Sequence, residues 1–210
     1  MFNKLVEFFT HKDRDLRDNR WIFLSMLAGA VVSLIAAFVL SIEAFEIAKN
    51  PNAQLSCSIN VIINCATVAK TSFASMFGFP NSFLGMIAEP VVITVAVAGL
   101  AGVKFPRLFM FAAQFFYTLG FIFAYYLFFI GLFVIQALCP WCLLVTLSTT
   151  FVLFSMTRYN IREDNLYLPK RFAVKAKNFI NKDYDKLALA LLVVAVIAVI
   201  IFKYGNGLFA

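Results

Sequence analysis

The 210 residues are 62% hydrophobic and only 14% charged, far from the roughly half-apolar, quarter-charged balance of a soluble domain, so most of the chain belongs in lipid. Its 26 phenylalanines sit mainly in long uncharged stretches that would aggregate in water and are at home in hydrocarbon. The net charge of +7 does not point to nucleic acid, because the basic residues fall between apolar stretches and form no aromatic-interleaved stripe.

A hydrocarbon core of ~30 Å needs about 20 helical residues. In chain order, residues 1–21 form a basic segment and residues 22–44 a first span, which reads as a retained anchor because no cleavage site follows it. An outer loop with a lid helix occupies residues 47–82, and the second span covers residues 83–103. Residues 108–157 hold no charge and are about twice as long as one span requires. Pro140 is the best turning point, since proline lacks an N–H and favours the first helical position, making Cys139 the N-cap. This gives spans at 108–136 and 140–156. A basic connection covers residues 158–186, a fifth span covers 187–203 with Lys186 and Lys203 free to snorkel, and a tail covers 204–210. The expected fold is an all-α integral membrane protein: a four-helix bundle at 22–157 plus a fifth transmembrane helix.

Orientation follows from lysine and arginine in the short connections. The N-terminal segment carries Lys4, Lys12, Arg14, Arg17 and Arg20, the next connection on that side carries Lys104 and Arg107, and eight more lie between Arg158 and Lys186. The opposite side has Lys49, Lys70 and Lys203. The N-terminus is therefore expected in the cytoplasm of a multi-pass cell-membrane protein, with all four cysteines on the extracytoplasmic face.

Cys139-Pro140-Trp141-Cys142 sets two thiols three residues apart at a helix start, where orphan backbone N–H groups and the helix dipole favour thiolate. The single histidine, His11, lies on the wrong side to act as a base. Read alone, the pair is either an active dithiol or two buried small hydrophobes. A closed zinc site using all four cysteines gives no reason to put one pair at a lipid-embedded helix start, so no metal is expected.

Cys57 and Cys65 lie eight apart in the outer loop, and on the oxidising side of a membrane such a pair can bridge. Cys65 opens residues 66–77, whose Ala69, Phe73, Met76 and Phe77 share one face with it at helical spacing. Such an amphipathic lid would aim Cys65 at the mouth of the bundle, near Cys139. A relay follows: Cys57, further out, meets an external thiol, Cys65 exchanges with Cys139, and Cys142 faces the interior. A static, loop-stapling disulfide around a membrane-anchoring helix is the alternative.

At these residues the chain resembles the vitamin K epoxide reductase family, in particular its bacterial quinone-dependent members. The likeness covers about Trp21 to Thr157 and includes the Cys57/Cys65 spacing, the run Phe77-Gly78-Phe79-Pro80-Asn81-Ser82-Phe83-Leu84-Gly85, and Leu138-Cys139-Pro140-Trp141-Cys142-Leu143. The resemblance implies a bundle enclosing a quinone (menaquinone or ubiquinone). Cys142 would donate to the ring, Cys139 would exchange with Cys65, and Cys57 and Cys65 would take electrons from substrate thiols. It also implies that the Asn81 amide bonds the quinone carbonyl and that Thr71 occupies the family's lid hydroxyl position.

Three departures stand out. Family members often carry an acidic residue directly after the first loop cysteine, where this chain has Ser58. Thr146 stands where animal enzymes place a tyrosine for vitamin K, so epoxide reduction is not inferred, and Thr146 is itself an expected quinone-binding residue. Bacterial relatives often continue past a fifth span into a thioredoxin-like domain, for which this sequence leaves no room. A separate thioredoxin-like disulfide oxidoreductase is the expected partner, and the expected function is quinone-dependent disulfide formation.

Glu89, about two turns into the second span, should face the bundle or be neutral; it is equally a proton source for quinone reduction and a carboxyl bonded to a neighbouring helix. Gln114 and Tyr117 read as interhelical hydrogen bonders and Trp21 as an interface anchor. Two other functions compete. In the unrelated four-span quinone-coupled disulfide oxidase the CxxC pair precedes the loop pair, the reverse of the order here. A non-catalytic membrane scaffold or carrier with a structural disulfide predicts inert cysteines, and carriers usually show repeat symmetry, which is absent here.

Overall fold

A computed structural model describes residues 14–205. Lys4, His11, Lys12 and nearly all of the 204–210 tail lie outside the described residues. Among those described there are five helices long and apolar enough to cross a membrane, and extended pairing is confined to one isolated bridge. The chain is a multi-pass helical membrane protein.

Helix α1 (Arg14–Lys49) has 36 residues and is therefore roughly 54 Å long. It outruns the ~30 Å hydrocarbon layer and carries its last turns, with Glu43 and Glu46, up to the outer loop. Two short pieces follow: α2 (Cys65–Ala69) and a 3-10 turn (Ser72–Ser75). Next come α3 (Ser82–Leu100), α4 (Arg107–Phe129) running into a π-helical turn (Ile130–Ile135), α5 (Pro140–Arg162), α6 (Lys170–Asn181) and α7 (Tyr184–Tyr204).

The lid takes a shorter form than residues 66–77 suggest. Thr71 is extended (φ −81°, ψ 152°), so the helix stops after one turn. The serines at 72 and 75 favour local backbone bonding over continued helix. The Asn81 side chain then holds the break: its amide donates to Phe73 O at 2.6 Å and its carbonyl accepts from Met76 N–H at 3.2 Å. Met76, Phe77 and Phe79 are left exposed, and Phe77 packs against Phe123 of α4 with ring centroids 5.4 Å apart.

In the bundle α1 packs against both α3 and α5, and α5 against α4. Close approach depends on small residues, as expected where lipid removes the hydrophobic drive between helices. A Cβ placed on Gly29 would stand 2.8 Å from Val152 Cγ2 and 3.3 Å from Ser148 O, and one on Gly99 would strike the Phe23 ring. Ala30, Ala36 and Ala37 of α1 are buried. Hydrogen bonds cross the same seams: Ser25 with Ser155 at 2.7 Å, and Ser41 with Ser82 at 2.9 Å. The Gln114 amide donates to Thr157 and the Asn160 amide to Gln114, so Gln114 serves interhelical bonding as expected.

By contrast the backbones of α3 and α4 stay farther apart, and the two helices meet through side chains, the Tyr117 hydroxyl donating to Glu89 at 3.1 Å. They stand on opposite sides of a cavity of about 1030 Å³ that the lid covers at one end. Helix α7 packs outside the bundle, burying Val196, Ile200 and Tyr204 against Leu132, with the Tyr204 hydroxyl donating to Leu132 O at 3.0 Å. At the end of the bundle away from the cysteines, Arg158 joins Asp183 at 3.0 Å and Asp185 at 2.7 Å, with Asp18 of α1 at 3.8 Å. The Lys186 ammonium, with the Arg158 guanidinium, holds the Asp183 carboxyl below the usual carboxylate range.

Candidate active site

The two cysteine pairs meet at the lid end of the bundle. Cys139 is the N-cap of α5, with Pro140 at the first helical position, and its sulfur accepts the Cys142 N–H at 3.2 Å. The sulfur takes the place of the usual hydroxyl or carboxylate cap and satisfies one of the helix's orphan donors. Cys142 follows one turn into the helix, half-buried, on the cavity wall.

The loop pair reaches this helix start through the backbone. Asn64 N–H donates to Leu138 O at 3.0 Å and Leu138 N–H donates to Ile62 O at 2.7 Å, an isolated bridge between Ile63 and Leu138. Gln136, in the left-handed region (φ 59°), ends the π-helical turn and aims the chain into that bridge; such turns recur at functional sites. Asn64 also caps α2, accepting from Thr67 N–H at 3.0 Å and from the Ser58 hydroxyl at 3.1 Å. Cys65, the first residue of α2, is thereby set so that its sulfur lies 3.3 Å from that of Cys139.

Cys57 and Cys65 are joined in a disulfide with Cα atoms 5.6 Å apart, while Cys139 and Cys142 are free thiols. Cys57, expected outermost and accessible, is instead only 6% exposed. Leu55 is buried beside it, and Leu40 and Ile47 of α1 pack on the same cluster. The reason is the length of α1, whose last turns run past the 20 or so residues a span needs and give the loop an apolar wall, Leu40 and Ile47, to fold on.

That helix also brings a residue which the sequence reading passed over. Glu43, 5% exposed, places its carboxyl oxygens 3.3 and 3.5 Å from Cys57 Sγ and accepts from the Ser56 hydroxyl at 3.0 Å. A carboxylate therefore does stand beside the first loop cysteine, though not from the position after it, where Ser58 lies. The signal was present in the sequence: Glu43 is an acidic residue inside the run 22–44 that reads as the first span. Glu43 and the two loop sulfurs lie within 4.8 Å of one another, but sulfurs bonded to each other offer a metal no thiolate.

The remaining expected site residues divide. Glu89, Asn81 and Thr146 line the cavity together with Cys65, Cys139 and Cys142. Glu89 is buried and accepts from the Ser33 hydroxyl at 2.8 Å and the Tyr117 hydroxyl at 3.1 Å, so it is a carboxyl bonded to two neighbouring helices and also a group on the cavity wall. The Thr146 hydroxyl donates to Cys142 O at 2.9 Å. Asn81 spends both ends of its amide on the lid backbone. Thr71 is not on the cavity wall; its hydroxyl donates to Val68 O at 2.8 Å and ends the lid helix.

Chemically the arrangement suits thiol–disulfide exchange: a free sulfur at a helix start in contact with one sulfur of a disulfide, and a second thiol one turn deeper facing an enclosed space. The cavity wall is mostly aliphatic and aromatic, with the few polar groups named above, which is the usual make-up of a site for an apolar ring compound. The profile of the vitamin K epoxide reductase family matches residues 24–157, from the first turns of α1 into the last turns of α5 and across all four cysteines. No curated protein matches the chain.

Proposed function

The chain belongs to the vitamin K epoxide reductase family of thiol oxidoreductases, and from that premise we propose that it forms disulfides by passing electrons from an external dithiol through Cys57–Cys65 and Cys139–Cys142 to a membrane quinone. The observation that carries the reading is the 3.3 Å approach of Cys65 Sγ to Cys139 Sγ. A loop disulfide needed only as a staple gains nothing from a free thiol in contact with it.

In the cycle, the partner's dithiol reduces the Cys57–Cys65 bond. Cys65 then attacks Cys139, releasing Cys142, and Cys57 resolves the mixed disulfide, leaving Cys139 and Cys142 reduced as they are found here. The quinone, once bound, accepts two electrons and two protons. On the cavity wall Cys142 is the thiol that would give up the electrons, Thr146 holds the first turn of α5 through Cys142 O, and Glu89 offers a carboxyl. Asn81 fastens the lid. The gap between α3 and α4 gives an isoprenoid tail a way into lipid.

The basic ends of the spans support a cytoplasmic N-terminus and an extracytoplasmic cysteine face. Residues 22–157 form the catalytic bundle, and the fifth helix, 187–203, is an addition to it. A thioredoxin-like disulfide oxidoreductase, kept oxidised by this route, fits as the thiol partner, because exchange requires a second dithiol able to enter a mixed disulfide.

The test is reduction of decylubiquinone at the expense of a reduced thioredoxin-like protein, with Cys57, Cys65, Cys139 and Cys142 each changed to alanine in the full chain. Every variant should lose the reaction. Full activity of Cys57→Ala and Cys142→Ala would remove the relay.

A further inference from the structure

The contact between Glu43 and Cys57 is unexplained by the relay as just described. Cys57 has no proton to give while it is bonded to Cys65, so the 3.3 and 3.5 Å contacts are, in this state, carboxyl oxygens against sulfur. They become an S–H···O hydrogen bond as soon as the disulfide opens. A carboxyl 5% exposed against an apolar cluster is costly unless hydrogen-bonded; the Ser56 hydroxyl supplies one bond and an opened Cys57 thiol would supply a second.

We propose that Glu43 is the proton acceptor and donor of Cys57, taking the thiol proton when Cys57 attacks and returning it when Cys57 leaves. The inference rests on the relay reading. In the resolving step Cys65 is bonded to Cys139. The Cys57 S–H proton passes to a Glu43 oxygen as Cys57 Sγ attacks Cys65 Sγ. The Cys57–Cys65 bond forms, the Cys65–Cys139 bond breaks, and the electron pair leaves on Cys139 Sγ at the start of α5. No external oxidant enters this step. The proton then has a way out through Ser56, whose hydroxyl contacts Glu43 Oε1 at 3.0 Å and which is itself exposed.

Among the described residues geometry favours Glu43 as the base. The groups that face it are Glu46 on its own helix, Ser56 and Cys57 on the loop, Cys65 at the start of α2, and Cys142 across the bundle. Of these only Glu46 is another carboxyl, and no hydrogen bond links it to the sulfurs. Ser58, next in sequence to Cys57, is turned to Asn64. The exchange of a proton at hydrogen-bond distance from the reacting sulfur makes Glu43 a catalytic residue in the strict sense, because it touches the atom that reacts.

The experiment uses the full chain, reduced with dithiothreitol, desalted and mixed with decylubiquinone. Samples are quenched in acid at intervals, alkylated and mapped for disulfides. In Glu43→Gln the Cys139–Cys142 bond should form at the wild-type rate, but the Cys65–Cys139 mixed disulfide should persist about a hundredfold longer at neutral pH, the lower end of what general-base assistance supplies. Its lifetime should shorten about tenfold per pH unit, because unaided attack needs the Cys57 thiolate, a dependence the wild type should not share. Glu43→Asp should recover part of the rate.

Resolution of the mixed disulfide in Glu43→Gln at the wild-type rate and with the wild-type pH profile would overturn the proposal. Cys57→Ser separates this from failure of the relay: it should accumulate the Cys65–Cys139 bond indefinitely. Its absence there would remove the relay, and the Glu43 step with it.

Discussion

The position of Cys65 depends on Asn64, and Asn64→Ala tests how. Its side-chain oxygen makes two hydrogen bonds, capping α2 through Thr67 N–H at 3.0 Å and holding the Ser58 hydroxyl at 3.1 Å. Losing an N-cap costs about 1 kcal/mol and losing a second, half-buried hydrogen bond about another 1 kcal/mol. The sum, ~2 kcal/mol, falls on a local unit rather than the whole bundle, because the loop, stapled within itself by Cys57–Cys65, meets the rest through one isolated bridge, the Glu43 contacts and a small apolar cluster. Local opening should therefore become about 30-fold more frequent, since 1.4 kcal/mol is a factor of ten. Hydrogen exchange of the amides at 66–70 should speed up by that factor, while amides in the middle of α1 and α5 should be unchanged. Asn64→Asp keeps the cap and should stay within threefold of wild type. Exchange at 66–70 that is equally slow in Asn64→Ala would refute the argument and leave the Ile63–Leu138 bridge, the disulfide and the apolar cluster to position Cys65.

Two further outcomes are expected from the bundle. Gly29→Val should destabilise the folded protein by about 1–3 kcal/mol through overpacking, since even its Cβ would stand 2.8 Å from Val152 Cγ2; a lowered unfolding midpoint in detergent checks this. Glu89→Ala should cost about 2 kcal/mol, because the Ser33 and Tyr117 hydroxyls both lose their buried acceptor. Glu89→Gln, which keeps a carbonyl oxygen for Ser33, should recover most of that loss in the same measurement.

The likeness between sequence and fold is greatest where one physical rule dominates. Lipid leaves a spanning segment only helix or closed barrel, and apolar runs of about 20 residues fit helix, so the five spans, and the turn at Pro140 that makes Cys139 an N-cap, follow from uncharged length and a missing N–H. Span ends follow less closely. Helix α1 runs from Arg14 to Lys49, beyond residues 22–44 at both ends, because a helix continues into water until something stops it, and hydropathy sees only the lipid-embedded part. The lid shows the opposite error. Its apolar spacing reads as one helix, yet Thr71 and the Asn81 amide, a side chain ten residues downstream, divide it.

What the residues alone determine is the inventory: a membrane bundle, two cysteine pairs at the same end of it, and a helix start beneath one of them. Local rules suffice for that, since span length, charge placement and capping each act over a few turns. Which sulfur touches which, and with what beside it, is decided only in three dimensions. The bridge between Ile63 and Leu138 sets Cys65 against Cys139 across a separation of 74 residues, and the overhang of α1 both buries Cys57 and delivers Glu43 to it. Neither contact leaves a periodicity or a motif in the chain, because each is made by backbone or by a lone side chain meeting a distant partner.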